Sequence, residues 1–200
     1  MTQPLSCLKL LTPVFPQEET RPAFFLDRDD TLIPDVPYLR DPAGVRLFPR
    51  SAPALRRLRE AGYRLILVSN QSGIGRGLIP LAQFWAVHQR LQELLLQEGV
   101  QLDGAYFCPH APEEHCLCRK PSPGMLQAAW EDFSTDKEGS ALAGDRSADI
   151  LLAKAGGLAA IQIHREGAEP LPQADFQAQD LWEATQWLLA RGTSRGEGRP

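Results

Sequence analysis

Phe24-Phe25-Leu26-Asp27-Arg28-Asp29-Asp30-Thr31-Leu32 carries an apolar run straight into a polar turn, with carboxylates at Asp27 and Asp29. A short apolar run of this kind reads as a core strand. Carboxylates delivered to the end of such a strand are costly to desolvate unless a cation or hydrogen bonds stabilise them, so the pair predicts a magnesium-binding loop. Other segments end in the same manner. Leu65-Ile66-Leu67-Val68 leads into Ser69-Asn70-Gln71-Ser72-Gly73, residues 104–107 lead into a cysteine-rich loop that closes on Cys118-Arg119-Lys120-Pro121, and Leu142-Ala143-Gly144-Asp145-Arg146 opens into an amphipathic segment.

These runs alternate with amphipathic stretches, the pattern of strands buried on both faces with crossover helices between them. The predicted fold class is α/β: a Rossmann-like parallel sheet flanked by helices, with strands over residues 23–26, 64–68, 104–107, 141–143 and 158–163. Ser51 is expected to cap a helix that stops at Gly62, and a longer helix should run from near Pro80 to Gly99. Further helices are expected over residues 123–133 and 147–155, and one begun by Asp180 and Glu183 should reach Leu189. Residues 1–21 read as a variable lead-in, 22–190 as one catalytic domain and 191–200 as a flexible tail. No insertion is long enough for a large cap domain, so loops alone should cover the site.

The chain has 200 residues, 43% hydrophobic and 23% charged, which suits one soluble domain. A net charge of −4 provides no broad basic surface, which argues against nucleic acid as the main partner. No apolar run approaches the roughly 20 residues of a membrane span, and no leader pattern opens the chain, so a cytoplasmic protein without membrane attachment is expected.

Three of the four cysteines crowd into one loop with a histidine, as Cys108-Pro-His110 and Cys116-Leu-Cys118. Three thiolates and an imidazole make a closed tetrahedral zinc site, with no open position for chemistry and therefore a structural role. The competing reading is a set of reduced, buried cysteines. His115 could rival His110 as the fourth ligand, although its adjacency to Cys116 makes the geometry awkward, and Cys7 stands apart.

Each motif alone is an ordinary turn. Together, Asp-x-Asp-x-Thr at Asp27, Ser69, Lys120 and Gly144-Asp145, in that order and each behind a strand, resemble the haloacid dehalogenase superfamily of phosphotransferases. The resemblance implies Asp27 as nucleophile on a phosphate monoester, and Asp29 as proton donor to the leaving alkoxide and then base for water. It implies Mg2+ held by the Asp27 carboxylate, the Asp29 backbone carbonyl and the Asp145 carboxylate. Ser69, the Asn70 N–H and Lys120 would hold the transferring phosphoryl group. Thr31 would orient the nucleophile loop.

Ser69-Asn70-Gln71-Ser72-Gly73-Ile74-Gly75, Cys108-Pro-His110 and Cys118-Arg119-Lys120-Pro121-Ser122-Pro123-Gly124-Met125 narrow the match. From about Phe24 to His164 the chain resembles the D-glycero-D-manno-heptose-1,7-bisphosphate 7-phosphatase family, whose zinc loop the histidinol-phosphatases share. Pro123-Gly124-Met125 and Tyr38-Leu39-Arg40-Asp41-Pro42 favour the heptose family. The expected partner is a small sugar phosphate on a monomeric enzyme, contacted by Asp35, Tyr38, Ser69, Asn70, Gln71, Ser72, Arg119, Lys120 and Arg146. Arginine suits a second phosphate, because its guanidinium bonds phosphate oxygens in pairs. Asp30 departs from the family's glycine; aspartate tolerates a left-handed turn but adds negative charge near the expected phosphate. A weakly active or non-catalytic phosphate-binding module is the alternative this leaves. A signalling receiver is disfavoured by Asp29, since a receiver needs no general acid beside its phosphoacceptor. A zinc-ribbon nucleic-acid module is disfavoured by the acidic charge.

Overall fold

Alternate side chains of β2 (Arg21–Leu26) leave opposite faces of the sheet, and both faces are apolar: Phe24 and Leu26 enter one core layer, Ala23 and Phe25 the other. A strand apolar on both sides must lie inside a sheet covered twice. In the computed structural model, which describes residues 7–165 and 169–196, that is its position. The sheet has seven strands in the order β1-β4-β3-β2-β5-β6-β7. Besides β2 these are β1 (Leu8–Leu11), β3 (Arg64–Asn70), β4 (Gly104–Cys108), β5 (Thr135–Gly144), β6 (Ala159–Ile163) and β7 (Phe176–Ala178). All neighbours are parallel except β1, which runs antiparallel to β4 along one edge.

The first core layer is built against α1 (Ser51–Glu60), α3 (Leu81–Gln97) and α6 (Leu181–Gly196), through Leu55, Phe84, Leu91 and Leu181. The second is built against α4 (Gly124–Asp132) and α5 (Ser147–Ala155), through Met125 and Ile150. A four-residue helix α2 (Ser72–Gly75) follows β3 directly. The chain progresses from β2 through β3 to β4 in one direction, then returns to the other side of β2 for β5, β6 and β7. The crevice beyond the carboxyl ends of β2 and β5 is therefore the switch point where open α/β sheets bind ligands. Between β2 and α1 the chain contains turns, a single bridge between Asp29 and Ile33, and a 3-10 turn at Pro42–Gly44. No helix among the described residues is long and apolar enough to cross a membrane.

The α/β class, the five expected strands and the five expected helices are all present. Differences lie at the edges. β1 falls within the lead-in, paired Leu8 to Phe107, and β7 is a three-residue edge strand; neither has enough alternation to read as a strand by itself. β5 begins at Thr135, six residues before the expected Ala141, because its outer half is polar. Ser51 is not a cap but the first helical residue of α1, entered from Arg50 in left-handed conformation at φ 63°. α6 continues past Leu189 to Gly196, into the expected tail, and residues 197–200 of that tail, like residues 1–6 of the lead-in, lie outside the described residues.

Two buried charges fasten the lead-in to the sheet. Asp103, fully buried, accepts from the backbone N–H of Val14 at 2.9 Å and of Leu65 at 2.8 Å and pairs with Arg59 at 2.7 Å. Arg64, also fully buried, donates to the carbonyls of Pro16 and Glu19.

His88 on α3 is buried edge-to-face against Phe107, centroids 4.9 Å apart, and neither ring nitrogen has a hydrogen-bond partner among the described residues. Burial, reinforced by the charge of Arg28, pushes it down to about 4. The unfolded chain takes up that proton near pH 6.5 and the folded chain only near 4. The stability His88 allows is thus fully present above pH 6.5 and is lost as pH falls through that window, by about 3 kcal/mol. Urea unfolding of the protein and of a His88→Leu variant at pH 7, 5 and 4 should show the variant losing about 3 kcal/mol less; parallel profiles would refute this account.

Candidate active site

Asp27 follows β2, and its backbone N–H continues the β2–β5 pairing by donating to Ala143 at 3.0 Å, so the carboxylate stands at the switch point. It is almost fully buried, 6% exposed, and Oδ1 accepts from the Arg28 backbone N–H at 2.7 Å. Lys120 Nζ reaches the same oxygen at 2.9 Å, Asp149 Oδ1 at 2.6 Å and the Val68 carbonyl at 3.0 Å. Burial by itself pushes Lys120 down, but Asp149 and Asp27 outweigh it and hold the ammonium above its ordinary range. Lys120 is thus a permanent point charge between two carboxylates. Asn70 fixes its main chain, accepting from the Lys120 N–H at 3.0 Å and donating to the Lys120 carbonyl at 3.2 Å.

Asp145 ends the β5 segment, and burial, then repulsion from Asp27 and Asp149, pushes it up to about 7. Its Oδ1 is buried without a hydrogen-bond partner among the described residues. Asp149, not expected from the sequence, sits in the first turn of α5, where Oδ2 accepts from the Arg146 N–H at 3.1 Å, the stabilising position for an acid at a helix start. Gly144 makes this approach possible: a Cβ there would lie 2.3 Å from the Asp149 carboxyl carbon. Carboxylate oxygens of Asp27, Asp145 and Asp149 all fall within 4.8 Å of one another. Three acids against one ammonium, with an orphaned oxygen among them, fit a hard divalent cation.

The carboxylate of Asp29 faces other partners. Arg28, only 3% exposed, donates to it through Nε at 3.0 Å and Nη2 at 3.1 Å. Gln71 Nε2 adds a bond to Asp29 Oδ2 at 2.9 Å and another to the buried Ser69 Oγ at 3.0 Å. The Asp29 side chain is therefore not one of the clustered acids, although it lines the same cavity. Thr31 is fully buried, with its hydroxyl unpartnered among the described residues.

That cavity, of about 470 Å³, is lined by Asp27, Asp29, Asn70, Gln71, Ser72 and Lys120, and also by Asp35, Tyr38, Arg119, Arg146 and Asp149 among others. Arg146 bridges to Asp35 at 2.9 Å and lies 3.5 Å from Asp145. Tyr38, at φ 52° and half-exposed, lies so close over Gly73 that a Cβ at position 73 would come within 2.8 Å of its ring. Asp30 takes the expected left-handed conformation at φ 52°. Its charge does not line the cavity: Oδ1 accepts from the Asp35 N–H at 3.0 Å, and its carbonyl accepts from Arg165 Nε at 2.9 Å. The departure from glycine thus caps the loop that presents Asp35 to Tyr38.

Cys108, His110, Cys116 and Cys118 converge, with no disulfide among them. Sγ atoms of Cys108 and Cys116 are 3.5 Å apart, and those of Cys116 and Cys118 3.6 Å. His110 Nδ1 is 3.5 Å from Cys108 and 3.2 Å from Cys118. Edges of roughly 3.5–3.8 Å are those of a zinc tetrahedron, so the donor set fits that metal. Hydrogen bonding from Cys118 outweighs burial and holds the Cys108 thiol below its ordinary range, the direction that favours a metal-ligating thiolate. His115, exposed and left-handed at φ 46°, is outside the cluster. The loop grips the site on both sides: Gln71 donates its N–H to the Cys108 carbonyl at 2.7 Å and Gly75 to Pro109 at 2.8 Å, while Cys118 runs directly into Arg119 and Lys120.

Asp149 is the member of the acidic cluster that the sequence reading missed. The signal was the Gly144-Asp145-x-x-x-Asp149 spacing, which brings the second acid back over the first once a helix starts between them.

A family model described as HAD-hyrolase-like matches residues 117–184. The D-glycero-beta-D-manno-heptose-1,7-bisphosphate 7-phosphatase of Yersinia pestis is 36% identical over 181 residues, covering 85% of this chain and 96% of that one. Among solved structures, a HAD-like phosphatase from Mesorhizobium loti superposes with a TM-score of 0.81 at 33% identity, over 96% of both chains. The D,D-heptose 1,7-bisphosphate phosphatase of B. bronchiseptica, solved with magnesium and phosphate, superposes with a TM-score of 0.77 at 30% identity, over 85% of this chain and 99% of that one. The chain is therefore a phosphatase and belongs to the haloacid dehalogenase-like family that includes these heptose-bisphosphate phosphatases.

Proposed function

We propose that the protein hydrolyses a sugar phosphate monoester through an aspartyl-phosphate on Asp27, and that its substrate is the 7-phosphate of D-glycero-D-manno-heptose 1,7-bisphosphate. The observation that carries this reading is the buried Lys120 ammonium, 2.9 Å from Asp27 and 2.6 Å from Asp149, at a cavity that also presents Arg119 and Arg146. A nucleophilic carboxylate paired with a fixed cation suits attack on a phosphoryl group. Two guanidinium groups further along suit the second phosphate of a bisphosphate.

Asp27, Asp145 and Asp149, with the Asp29 carbonyl, would hold Mg2+, which when bound lowers the repulsion between the nucleophile and the phosphate dianion. Lys120 and the Ser69 hydroxyl hold the phosphoryl oxygens as charge builds on them. Asp29 gives its proton to the leaving alkoxide and later takes one from the attacking water. Zn2+ on Cys108, His110, Cys116 and Cys118 would stiffen the loop that delivers Arg119 and Lys120.

The test is phosphate release from D-glycero-D-manno-heptose 1,7-bisphosphate and from histidinol phosphate, with magnesium added to zinc-replete protein. Preference for the heptose by a factor of about 100 or more in kcat/KM is expected, because histidinol phosphate leaves Arg119 and Arg146 without a second phosphate. Preference for histidinol phosphate would replace this substrate reading.

A further inference from the structure

Gln71 lines the cavity, yet every polar contact of its amide is internal. Oε1 accepts from Arg28 Nη2 at 2.9 Å, and Nε2 donates to Asp29 Oδ2 at 2.9 Å and to Ser69 Oγ at 3.0 Å. Both amide hydrogens are thereby spent on protein, and the residue is 5% exposed. Its backbone N–H is tied at 2.7 Å to the Cys108 carbonyl, so the side chain projects from a point fixed between β3 and the cysteine loop.

We propose that Gln71 is a positioning residue for proton transfer, holding the Asp29 carboxylate in the orientation from which it serves the leaving oxygen and then the water. The proposal rests on the function proposed above. Arg28 touches both oxygens of Asp29, but as the adjacent residue it can swing with Asp29 as a unit. Gln71 anchors that unit to a different strand and couples it to Ser69. The position needs an acceptor toward Arg28 and donors toward Asp29 and Ser69 at the same time. A carboxamide supplies this, whereas glutamate would set a second negative charge against Asp29 and leucine would supply neither.

The two chemical steps depend on Asp29 differently for different esters. In the first, an Asp27 oxygen bonds to phosphorus and the ester P–O bond breaks, its electron pair going to the leaving oxygen; a sugar alkoxide must receive the Asp29 proton, whereas 4-nitrophenolate leaves unprotonated. In the second, Asp29, deprotonated by the sugar alkoxide or, with the aryl ester, by loss of its proton to solvent, takes a proton from water as water bonds to phosphorus, and the Asp27 O–P bond breaks to release phosphate. Loosening Asp29 therefore slows the first step for sugar phosphates alone and the second step for every ester.

For Gln71→Leu, kcat on a sugar phosphate should fall by about 10- to 100-fold with KM changed less than about 3-fold. With 4-nitrophenyl phosphate, a burst of about one nitrophenolate per chain should precede slow turnover. Gln71→Met keeps the side-chain length without the hydrogen bonds and should behave alike; the readout is taken on whichever variant retains the parent's circular dichroism. A raised KM with unchanged kcat would make Gln71 a substrate contact and overturn the proposal. Equal losses on both esters without a burst, or no loss at all, would overturn it too. A parent protein inactive on both esters would instead remove the function on which the proposal stands.

Discussion

Asp27→Asn is expected to abolish phosphate release, by about 10⁴-fold or more in kcat, and at the same time to raise the unfolding temperature in magnesium-free buffer. The first effect follows from the role proposed for the Asp27 carboxylate, whose oxygen would form and later break the bond to phosphorus. An amide of the same shape preserves the contacts to Lys120 and the Arg28 N–H but is not a nucleophile. The second effect follows from the clustering of Asp27, Asp145 and Asp149 around one lysine, where burial first, and then repulsion from Asp27 and Asp149, pushes Asp145 up to about 7. Removing one of the three charges should stabilise the protein by about 1–2 kcal/mol, or roughly 3–6 °C for a chain of this size. Phosphate assays and thermal unfolding of the same preparations test both. Retained turnover would exclude Asp27 as nucleophile, and an unchanged or lowered unfolding temperature would show that the acids do not strain the site.

Loss of the zinc proposed for the Cys/His cluster should have the largest structural effect. Structural zinc contributes about 10 kcal/mol or more of apparent binding free energy in small domains, and here one donor, Cys108, ends β4 while the other three sit in a loop that otherwise has little regular structure. Cys118→Ser is expected to reduce zinc content from one per chain to none and expose residues 109–118 to protease. Phosphate release should fall by at least about 10-fold, because the same loop holds the backbone of Gln71 through Cys108 and leads into Lys120. Cys7→Ser, which removes the thiol outside the cluster, should leave zinc content and activity unchanged. Full activity from zinc-free protein would refute the claim that zinc, by ordering this loop, positions Gln71 and Lys120.

The parts of this site legible in the sequence were those whose chemistry is local. Asp27 and Asp29 are recognisable because an apolar strand ends on them, and the four zinc donors because they lie within one short loop. The central parallel strands are recognisable because burial on both faces makes them continuous apolar runs. Asp30 illustrates the limit: its left-handed turn was foreseeable from residue type, but the direction of its carboxylate, toward the Asp35 N–H and out of the phosphate cavity, depends on where the following loop returns. Gln71 is another case, since its partners Arg28 and Asp29 lie far off in sequence and meet it only when β2 and β3 pair.

By itself the sequence determined the α/β class, the acidic loop after the first core strand, the Cys/His cluster and the order of the motif segments, because strand burial and short-range ligand spacing are written into residue type. Only the tertiary structure decided that β2 and β5 flank the switch point, that Asp149 completes the acidic cluster over Gly144, that Lys120 is shared between two acids, and that β1 closes the sheet edge. Those features arise from strand order and close approach between distant segments, which pairing and packing select among arrangements that local periodicity leaves equivalent.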